Sequence, residues 1–384
     1  MEWQIPLSDI DFGMEEKEAV NAVLESKWLT MGSITQNFEQ AFAAYIGARF
    51  AIAVTNATAA LHLACVAAGL GPGDEAIVPS LTFVATANAV RYTGATPVFA
   101  DIVSDHDLNI SYHCIEKAIT KRTRAILVMH YGGYACDMHS ITELACEYNL
   151  KVIEDAAHAV GSELDGRKLG TWGDIGCFSF FSNKNMTTGE GGMLVTDNEA
   201  YSQRLHLLRS HGMTSLTWDR HKGHAWSYDV TELGYNYRID EIRAALGQVQ
   251  LNKLIVNNER RRHLTHTYQD LLQEIAPDVS IPFLEHPGIS AAHLMPVILP
   301  QGINKLSFME NMKSQGIQTS VHYPPIHTFT AYGSDKVKQS LPITEDVAAR
   351  EVTLPLFPTL SDEDVISVAR AVSSALGQSV ISNY

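Results

Sequence analysis

The chain has 384 residues, which at roughly 150 residues per domain favours two domains and a core large enough to fold without disulfides or metal. Its 28 Lys and Arg against 43 Asp and Glu give a net charge of −15. This balance argues against phosphate-driven nucleic-acid binding and against a polybasic membrane anchor.

Residues 51–73 contain no charged side chain, so they must first be considered as a membrane span. Polar residues interrupt the stretch at Thr55, Asn56 and His62, and its apolar runs are too short to cross a bilayer. A buried strand, a polar turn and a buried helix explain it better. The N-terminus lacks the pattern of a signal peptide, and the five cysteines form no CxxC pair, so we expect free thiols and a cytoplasmic location.

Apolar runs alternate with helical patterns from residue 50 onward. Strands are predicted at 50–54, 76–79, 96–101, 124–129 and 150–155, and helical stretches at 57–68, 82–91, 115–119 and 138–148. This alternation predicts βαβ units and a mainly parallel sheet covered on both faces. The apolar runs 177–181 and 191–197 are joined by a loop too short for a crossover helix, which predicts an antiparallel pair there.

The pattern becomes helical after Asn198. Residues 239–256 repeat at helical spacing and continue into a charged segment, which predicts a long helix that leaves one domain and enters another. Two short strands, at 293–299 and 353–357, and an amphipathic helix at 363–376 follow. We therefore predict an α/β fold with a large domain at 1–255 and a smaller C-terminal α+β domain at 256–384.

Three motifs fall at predicted strand ends, where open α/β sheets bind ligands. The first is Thr55–Thr58, where small residues and free amides at a helix start favour an anion such as phosphate. An ordinary helix cap by Thr55 or Asn56 is the alternative.

The second motif is EDAAH, which places Asp155 at a strand end, where its carboxylate can meet a cationic ring nitrogen. The alternative is a helix-capping Asp155 with His158 in the core or on the surface.

The third motif is the loop after the strand FSFF, in which Lys184 is the one positive charge. A lysine held between a rigid strand and glycines can be desolvated, as Schiff-base chemistry requires. The alternative is a solvated loop lysine. Taken together, a phosphate site, a strand-end Asp and a loop Lys are the three groups that pyridoxal phosphate (PLP) needs.

The sequence resembles the DegT/DnrJ/StrS group of nucleotide-sugar aminotransferases, which have the aspartate-aminotransferase fold of PLP enzymes. The resemblance covers nearly the whole chain, through SKWLTMG, TNATAALHLA, GPGDEAIVPSLTFVATANAV, GATPVFADI, EDAAHAVGS, GDIGCFSFFSNKNMTTGEGGMLVTD, LGYNYRIDEIRAALGQVQL, VHYPPIH and LPLFPTL. It is closest to the UDP-4-amino-4-deoxy-arabinose aminotransferase branch, because His158 stands where many relatives have Gln. GYNYR departs from that branch.

The resemblance implies roles for particular residues. Lys184 would carry PLP as a Schiff base, Asp155 would pair with the ring nitrogen, and His158 would lie near the phenolic oxygen. The remaining implied cofactor contacts are the stacking ring of Phe83, the phosphate ligands Ser179, Ala57 and Thr58, and Asn236, which would reach the phosphate of a neighbouring subunit. The enzyme would then be a homodimer with its active site at the interface, and the cofactor would cycle through the pyridoxamine form.

The acceptor would be a keto group of a nucleotide-linked deoxy sugar, with a 4-keto sugar expected, and the donor an amino acid such as glutamate. The resemblance places His322, Tyr323 and His327 near the sugar; a purely structural loop is the alternative. The prolines in HYPPIH exclude a zinc-binding helix, and we predict no metal site. Arg238 or Lys222 would supply positive charge for the diphosphate, and the segment 218–226 could meet it or form a surface loop.

Two other functions fit the same fold. A PLP-dependent sugar dehydratase has His in place of the Schiff-base lysine, so Lys184 argues against it. A non-catalytic, cofactor-binding regulatory protein is disfavoured because Lys184, Asp155 and Ser179 are all present.

Overall fold

One mixed sheet organises the first two thirds of the chain. The structure is a computed structural model that describes residues 3–214, 227–332 and 340–377. The strands of the sheet are β1 Phe50–Val54, β2 Glu75–Pro79, β3 Thr96–Ala100, β4 Thr123–Met129, β5 Lys151–Asp155, β8 Ile175–Ser179 and β9 Gly192–Thr196. Their order across the sheet is β1-β9-β8-β5-β4-β2-β3, and β9 is the strand that runs antiparallel to the others. The predicted parallel sheet and its antiparallel pair are confirmed.

Helices cover both faces of this sheet, which explains why its strands are continuously apolar. The helices of this part are α1 Met14–Ser26, α2 Ser33–Ile46, α3 Ala57–Ala67, α4 Ala85–Tyr92, α5 Tyr112–Ala118, α6 Met138–Glu147, α7 Glu199–Arg209 and α8 Glu241–Ile275. One face of the sheet packs against α3, α4 and α7, and the other face packs against α2, α5, α6 and the start of α8.

The long helix α8 connects two hydrophobic clusters. Leu251 and Leu254 pack with the sheet, whereas Leu264 and Leu272 pack in a separate C-terminal cluster. That cluster is formed with β10 Met295–Ile298, α9 Lys305–Ser314, β11 Glu351–Leu354 and α11 Asp362–Ala375. Helix α10 Pro342–Arg350 packs instead in a cluster with Leu81 and Tyr131, through Val347 and Ala348. Ile5 also belongs to it, so the N-terminal segment packs with the C-terminal part rather than with the sheet. The domain boundary at 255/256 stays a prediction.

Element ends differ from the predictions by a few residues. The strand predicted at 353–357 is Glu351–Leu354, because Pro355 has no N–H to continue the ladder. A two-stranded hairpin, β6 Glu163–Leu164 with β7 Arg167–Lys168, was not predicted; its strands are too short to show a pattern. The segment 218–226, with Lys222, lies outside the described residues.

All five cysteines are free; Cys65, Cys136 and Cys177 are buried, whereas Cys146 is exposed. Among the described helices, none has the length and apolarity that crossing a membrane requires.

The topology brings six strand ends to one edge of the sheet. The strands β1, β2, β3, β4, β5 and β8 all run in the same direction, so the residues after their carboxyl ends lie along that edge. These residues include Asn56, Asp155 and Ser179, from motifs far apart in the sequence.

Candidate active site

A cavity of about 440 Å³ opens above this edge. Its floor comes from the strand ends and its far wall from residues 322 and 323. The lining residues are Asn56, Ala57, Thr58, Leu61, Thr82, Phe83, Ala85, Met129, Asp155, Ala157, His158, Ser179, Phe181, Asn183, Lys184, Glu190, His322 and Tyr323. The structure therefore brings all three sequence motifs together in one cavity.

The N-terminus of α3 forms one side of the cavity. Asn56 caps this helix, with its Oδ1 accepting the N–H of Ala59 at 2.8 Å. Ala57 and Thr58 belong to the first turn, where N–H groups have no intrahelical acceptor. Gly192 lies behind them, and a Cβ there would lie 2.6 Å from the carbonyl carbon of Asn56. The strand thus approaches the helix start closely, and the free amides suit an anion.

Asp155 is buried at the end of β5. Its Oδ2 accepts a hydrogen bond from the Thr86 hydroxyl at 2.7 Å, and its Oδ1 accepts one from the N–H of Ala157 at 3.2 Å. Burial raises the pKa of the Asp155 carboxyl, while the bonds from Thr86 and Ala157 and the nearby Lys184 act to lower it. A cation in the cavity would favour the ionised carboxylate further.

Lys184 reaches the cavity from the loop between β8 and β9. Its N–H donates to the carbonyl of Phe181 at 2.9 Å, which forms a turn directly after the strand. Its Nζ lies 3.3 Å from Nε2 of His293. Burial lowers the pKa of Lys184 to about 8, with Arg261 acting in the same direction and Asp155 opposing. An amine with this pKa is partly unprotonated at neutral pH, as nucleophilic attack on a carbonyl requires.

His158 is also buried beside the cavity. The backbone N–H of Gly132 donates to its Nδ1 at 3.3 Å, and its Nε2 lies 2.9 Å from the hydroxyl of Tyr323. Burial lowers the pKa of the His158 imidazole well below its ordinary value. The neutral ring therefore carries its proton on Nε2 and donates it to Tyr323.

His322 and Tyr323 are held by the C-terminal part of the chain. The N–H of His322 donates to Glu351 at 2.8 Å, and its Nδ1 lies 2.8 Å from the Thr353 hydroxyl. The Tyr131 hydroxyl donates to the carbonyl of His322. These contacts place both side chains against the cavity.

Three residues expected at the site do not line this cavity. His327 lies 2.6 Å from the Ser80 hydroxyl and 3.2 Å from the Glu345 carboxylate, through its two ring nitrogens. Asn236 is exposed, and Arg238 follows two residues later, bridging to Val54. Both ring nitrogens of His327 are therefore engaged outside this cavity, and its contact with the substrate stays a prediction.

The sequence predictions missed several side chains at or beside the site, and four of them have a clear structural role or position. Phe181 and Asn183 line the cavity, Thr86 holds Asp155 and His293 contacts Lys184. Phe181 and Asn183 stand within three residues of Lys184, and that closeness could have indicated them. Thr86 and His293 lie in ordinary apolar segments that carry no such signal.

The residues around the cavity fit PLP. An amine, a buried carboxylate and a helix N-terminus surround it, and Phe83 presents a ring that is 56% exposed. Asn183 adds a buried Oδ1 that has no hydrogen-bond partner. Together they match an aldehyde, a cationic ring nitrogen, a phosphate and an aromatic face.

Comparisons with known proteins agree with a PLP site in this cavity. The sequence model of the DegT/DnrJ/EryC1/StrS aminotransferase family matches residues 11–373. The spore coat polysaccharide biosynthesis protein SpsC of Bacillus subtilis is 40% identical over 375 residues, covering 96% of each chain.

Solved structures of aminotransferases superpose on the chain closely. Helicobacter pylori PseC, an aminotransferase of pseudoaminic acid biosynthesis, matches with a TM-score of 0.90 and 31% identity, over 98% of this chain and 100% of that one. The PMP form of the sugar aminotransferase Spr1654 from Streptococcus pneumoniae matches with a TM-score of 0.90 and 28% identity, over 97% and 99% of the two chains.

Proposed function

Because the chain belongs to the DegT/DnrJ/EryC1/StrS aminotransferase family, whose members use PLP, we propose that it transfers an amino group from an amino acid to a nucleotide-linked keto sugar. The observation that carries the proposal is the joint placement of Lys184, Asp155 and the N-terminus of α3 around one cavity.

Each of these groups has a separate task. Bound PLP supplies an aldehyde that takes up the amino group and a ring that withdraws electrons from the reacting carbon. Asp155 would keep the ring nitrogen protonated through a charge-assisted hydrogen bond. The amides of Ala57 and Thr58, with the Ser179 hydroxyl, would hold the phosphate. Phe83 would stack on the ring.

Lys184 performs the proton transfers. Its amine would take a proton from the α-carbon of the amino donor and hold it on Nζ until it is returned. A pKa of about 8 suits this exchange, because the group is neither fully protonated nor fully neutral near physiological pH. The second half of the reaction uses the same steps in reverse.

A sugar substrate is supported by the relatives and by the cavity wall. SpsC is named for polysaccharide biosynthesis and PseC for pseudoaminic acid biosynthesis. His322 and Tyr323 provide polar groups on a wall that belongs to neither the cofactor motifs nor the sheet. We propose that these two residues contact the sugar, that its keto group is at C4 and that glutamate is the donor. The arabinose branch stays a prediction.

The charge around the cavity argues for a second subunit. Among the described residues that line it, Lys184 is the one lysine or arginine. A glutamate donor and a nucleotide diphosphate would each need more positive charge than this. Exposed Asn236, together with the exposed apolar Tyr228 and Leu233 on the same segment, fits a face covered by a partner. We therefore propose a homodimer that completes each site.

The experiment is a substrate screen. The purified holoenzyme is incubated with ¹⁵N-glutamate and a panel of nucleotide-linked 4-keto and 3-keto sugars, and products are read by mass spectrometry. We expect ¹⁵N in a 4-amino sugar, and Lys184→Ala as the control should give none. Loss of a hydroxyl without ¹⁵N would indicate a dehydratase. A cofactor spectrum unchanged by any amino donor would indicate a binding protein.

A further inference from the structure

A chain of hydrogen bonds leads from the backbone to the imidazole of His293. Asn258 donates through Nδ2 to the carbonyl of Val160 at 2.9 Å, so its Oδ1 is the acceptor for Asn185, at 2.7 Å. Nδ2 of Asn185 also donates to the carbonyl of Ala291 at 2.7 Å. Both amide groups are thus oriented by backbone carbonyls, which can only accept.

This orientation fixes the tautomer of His293. Oδ1 of Asn185 lies 2.8 Å from Nδ1 of His293 and can only accept, so the proton of the ring is on Nδ1. The other ring nitrogen, Nε2, then has a free lone pair, and it lies 3.3 Å from Nζ of Lys184. Burial lowers the pKa of His293 well below its ordinary value, which keeps the ring neutral.

We propose that His293 is a positioning residue for Lys184: its Nε2 accepts a hydrogen bond from the free amine and holds that amine beside the cavity between proton transfers. The inference rests on the proposed role of Lys184. His293 lies 109 positions away, just before β10, so the contact also ties the lysine loop to the C-terminal part of the chain.

The groups around this contact favour a neutral acceptor. The ring of His158 lies 4.4 Å from that of His293, and the buried guanidinium of Arg261 lies 3.5 Å from the carbonyl of His293. Both Arg261 and a protonated Lys184 oppose a positive charge on the His293 ring, as does His322 if protonated, while Asp155 attracts the charge of Lys184. A proton shared across the contact therefore stays on the lysine.

Two substitutions of His293 distinguish its hydrogen bond with Asn185 from its hydrogen bond with Lys184. His293→Asn keeps a donor for Asn185 but has nothing at the position of Nε2. His293→Gln can place its amide oxygen near that position and keep an acceptor for Lys184. His286→Asn is the matched control, because His286 donates to the carbonyl of Ala135 and does not line the cavity.

The first readout needs neither substrate nor bound cofactor. In cofactor-free protein, labelling of Lys184 by acetic anhydride is followed against pH by peptide mass spectrometry. Loss of the acceptor destabilises the ammonium form, so His293→Asn should shift the labelling midpoint to lower pH and raise labelling at neutral pH about threefold. His293→Gln and His286→Asn should keep the wild-type midpoint.

The second readout is kinetic. With glutamate deuterated at its α-carbon, His293→Asn should lower kcat about tenfold, leave KM nearly unchanged and increase the isotope effect, because an unanchored amine slows proton transfer. His293→Gln should recover most of the loss. A wild-type midpoint and isotope effect in His293→Asn, or equal defects in both variants, would overturn the proposal.

Two safeguards keep the test decisive. If His293→Asn does not fold, ¹⁵N-histidine spectra of the wild type, with His293→Gln for assignment, report the tautomer directly. A proton on Nε2 would overturn the proposal. If no keto sugar is aminated, the labelling and the tautomer still test the contact, so failure of the substrate assignment is distinguishable from failure of this inference.

Discussion

The hydroxyl of Tyr323 lies 2.9 Å from Nε2 of His158, and the N–H of Gly132 lies 3.3 Å from Nδ1 of the same ring. Since the backbone N–H can only donate, the ring donates from Nε2, and the hydroxyl oxygen of Tyr323 is the acceptor. The hydroxyl proton of Tyr323 is then free to point into the cavity that both side chains line.

Tyr323→Phe should therefore lower kcat about tenfold while the protein still binds PLP, because a hydrogen-bond donor to the reacting groups is lost and His158 loses its acceptor. Steady-state kinetics and the absorbance of the bound cofactor measure the two effects. Tyr332→Phe is the matched control, since Tyr332 bonds to Asn88 and does not line the cavity. Equal kcat in wild type and Tyr323→Phe would show that the hydroxyl takes no part.

Asp155→Asn should keep the hydrogen bond from Thr86 but remove the charge. We expect the variant to retain cofactor and to lose activity by at least about a hundredfold, the order of effect of removing one electrostatic contact in a water-excluded site. Binding is measured by equilibrium dialysis of PLP, and activity by the glutamate half-reaction. The exposed Asp165→Asn is the control. A half-reaction at near wild-type rate would remove the assigned role of Asp155.

The fold and the centre of the site could be predicted because local patterns determine them. Continuous apolar runs such as 124–129 and 150–155 must be buried on both faces, and this indicated the parallel sheet, which is confirmed. Lys184 was conspicuous as the one cation directly after such a strand. Family, PLP dependence and aminotransferase activity are confirmed as well, whereas the roles of single residues stay predictions.

What the sequence could not show depends on packing between distant segments. Thr86 meets Asp155 because α4 packs over the end of β5, and nothing near Thr86 marks that contact. His293 stands alone before an apolar strand, and only the fold brings it to Lys184. The placement of His327 outside the cavity could not be predicted for the same reason, because residues of a neighbouring loop and helix engage its ring.

Capture of PLP by the cofactor-free protein should depend on pH through Lys184. Burial lowers the pKa of this amine to about 8, and only the unprotonated form attacks the aldehyde. The capture rate should therefore rise with pH, about tenfold per unit below pH 8, and level off above it. Stopped-flow absorbance gives the rate, with a free lysine derivative as the reference. A rate that still rises steeply above about pH 9 would show that burial does not lower this pKa.

Stability should fall as pH rises from about 5 to about 8 because of Glu351. Burial raises the pKa of this carboxyl from its ordinary 4.5 to about 8, so the folded chain keeps a proton that the unfolded chain loses. The free energy of unfolding should decrease as pH rises from about 5 to about 8, by at most a few kcal/mol from this group. Urea titrations across that range measure the trend.

Glu351→Gln should abolish this part of the trend. The amide oxygen can still accept the N–H of His322, and the amide nitrogen can donate to the Thr353 hydroxyl, so the local bonds remain. The variant should gain stability relative to wild type as pH rises. Glu143→Gln, at an exposed position of α6, serves as control. Parallel pH dependence in wild type and Glu351→Gln would refute the assignment.

If each active site is shared between two subunits, two inactive variants should restore activity when they form a mixed dimer. Lys184→Ala and Asn236→Ala proteins should each be nearly inactive, the first for want of the amine and the second for want of the phosphate contact across the interface. In a mixed dimer, one site combines an intact Lys184 with an intact Asn236 from the other chain. Random mixing makes half the dimers mixed, each with one working site, so activity should return to about a quarter of wild type.

Co-expression with two different tags, followed by purification of the mixed dimer, makes this measurement quantitative, because that sample should have about half of the wild-type activity. Lys184→Ala mixed with Asp155→Asn is the control, because both residues would belong to the same chain's half of the site. That mixture should give no recovery, since every site then lacks Lys184 or Asp155. Recovery in the control, or none with Asn236→Ala, would place Asn236 in its own subunit's site or outside the chemistry, and the interface would lose its proposed role.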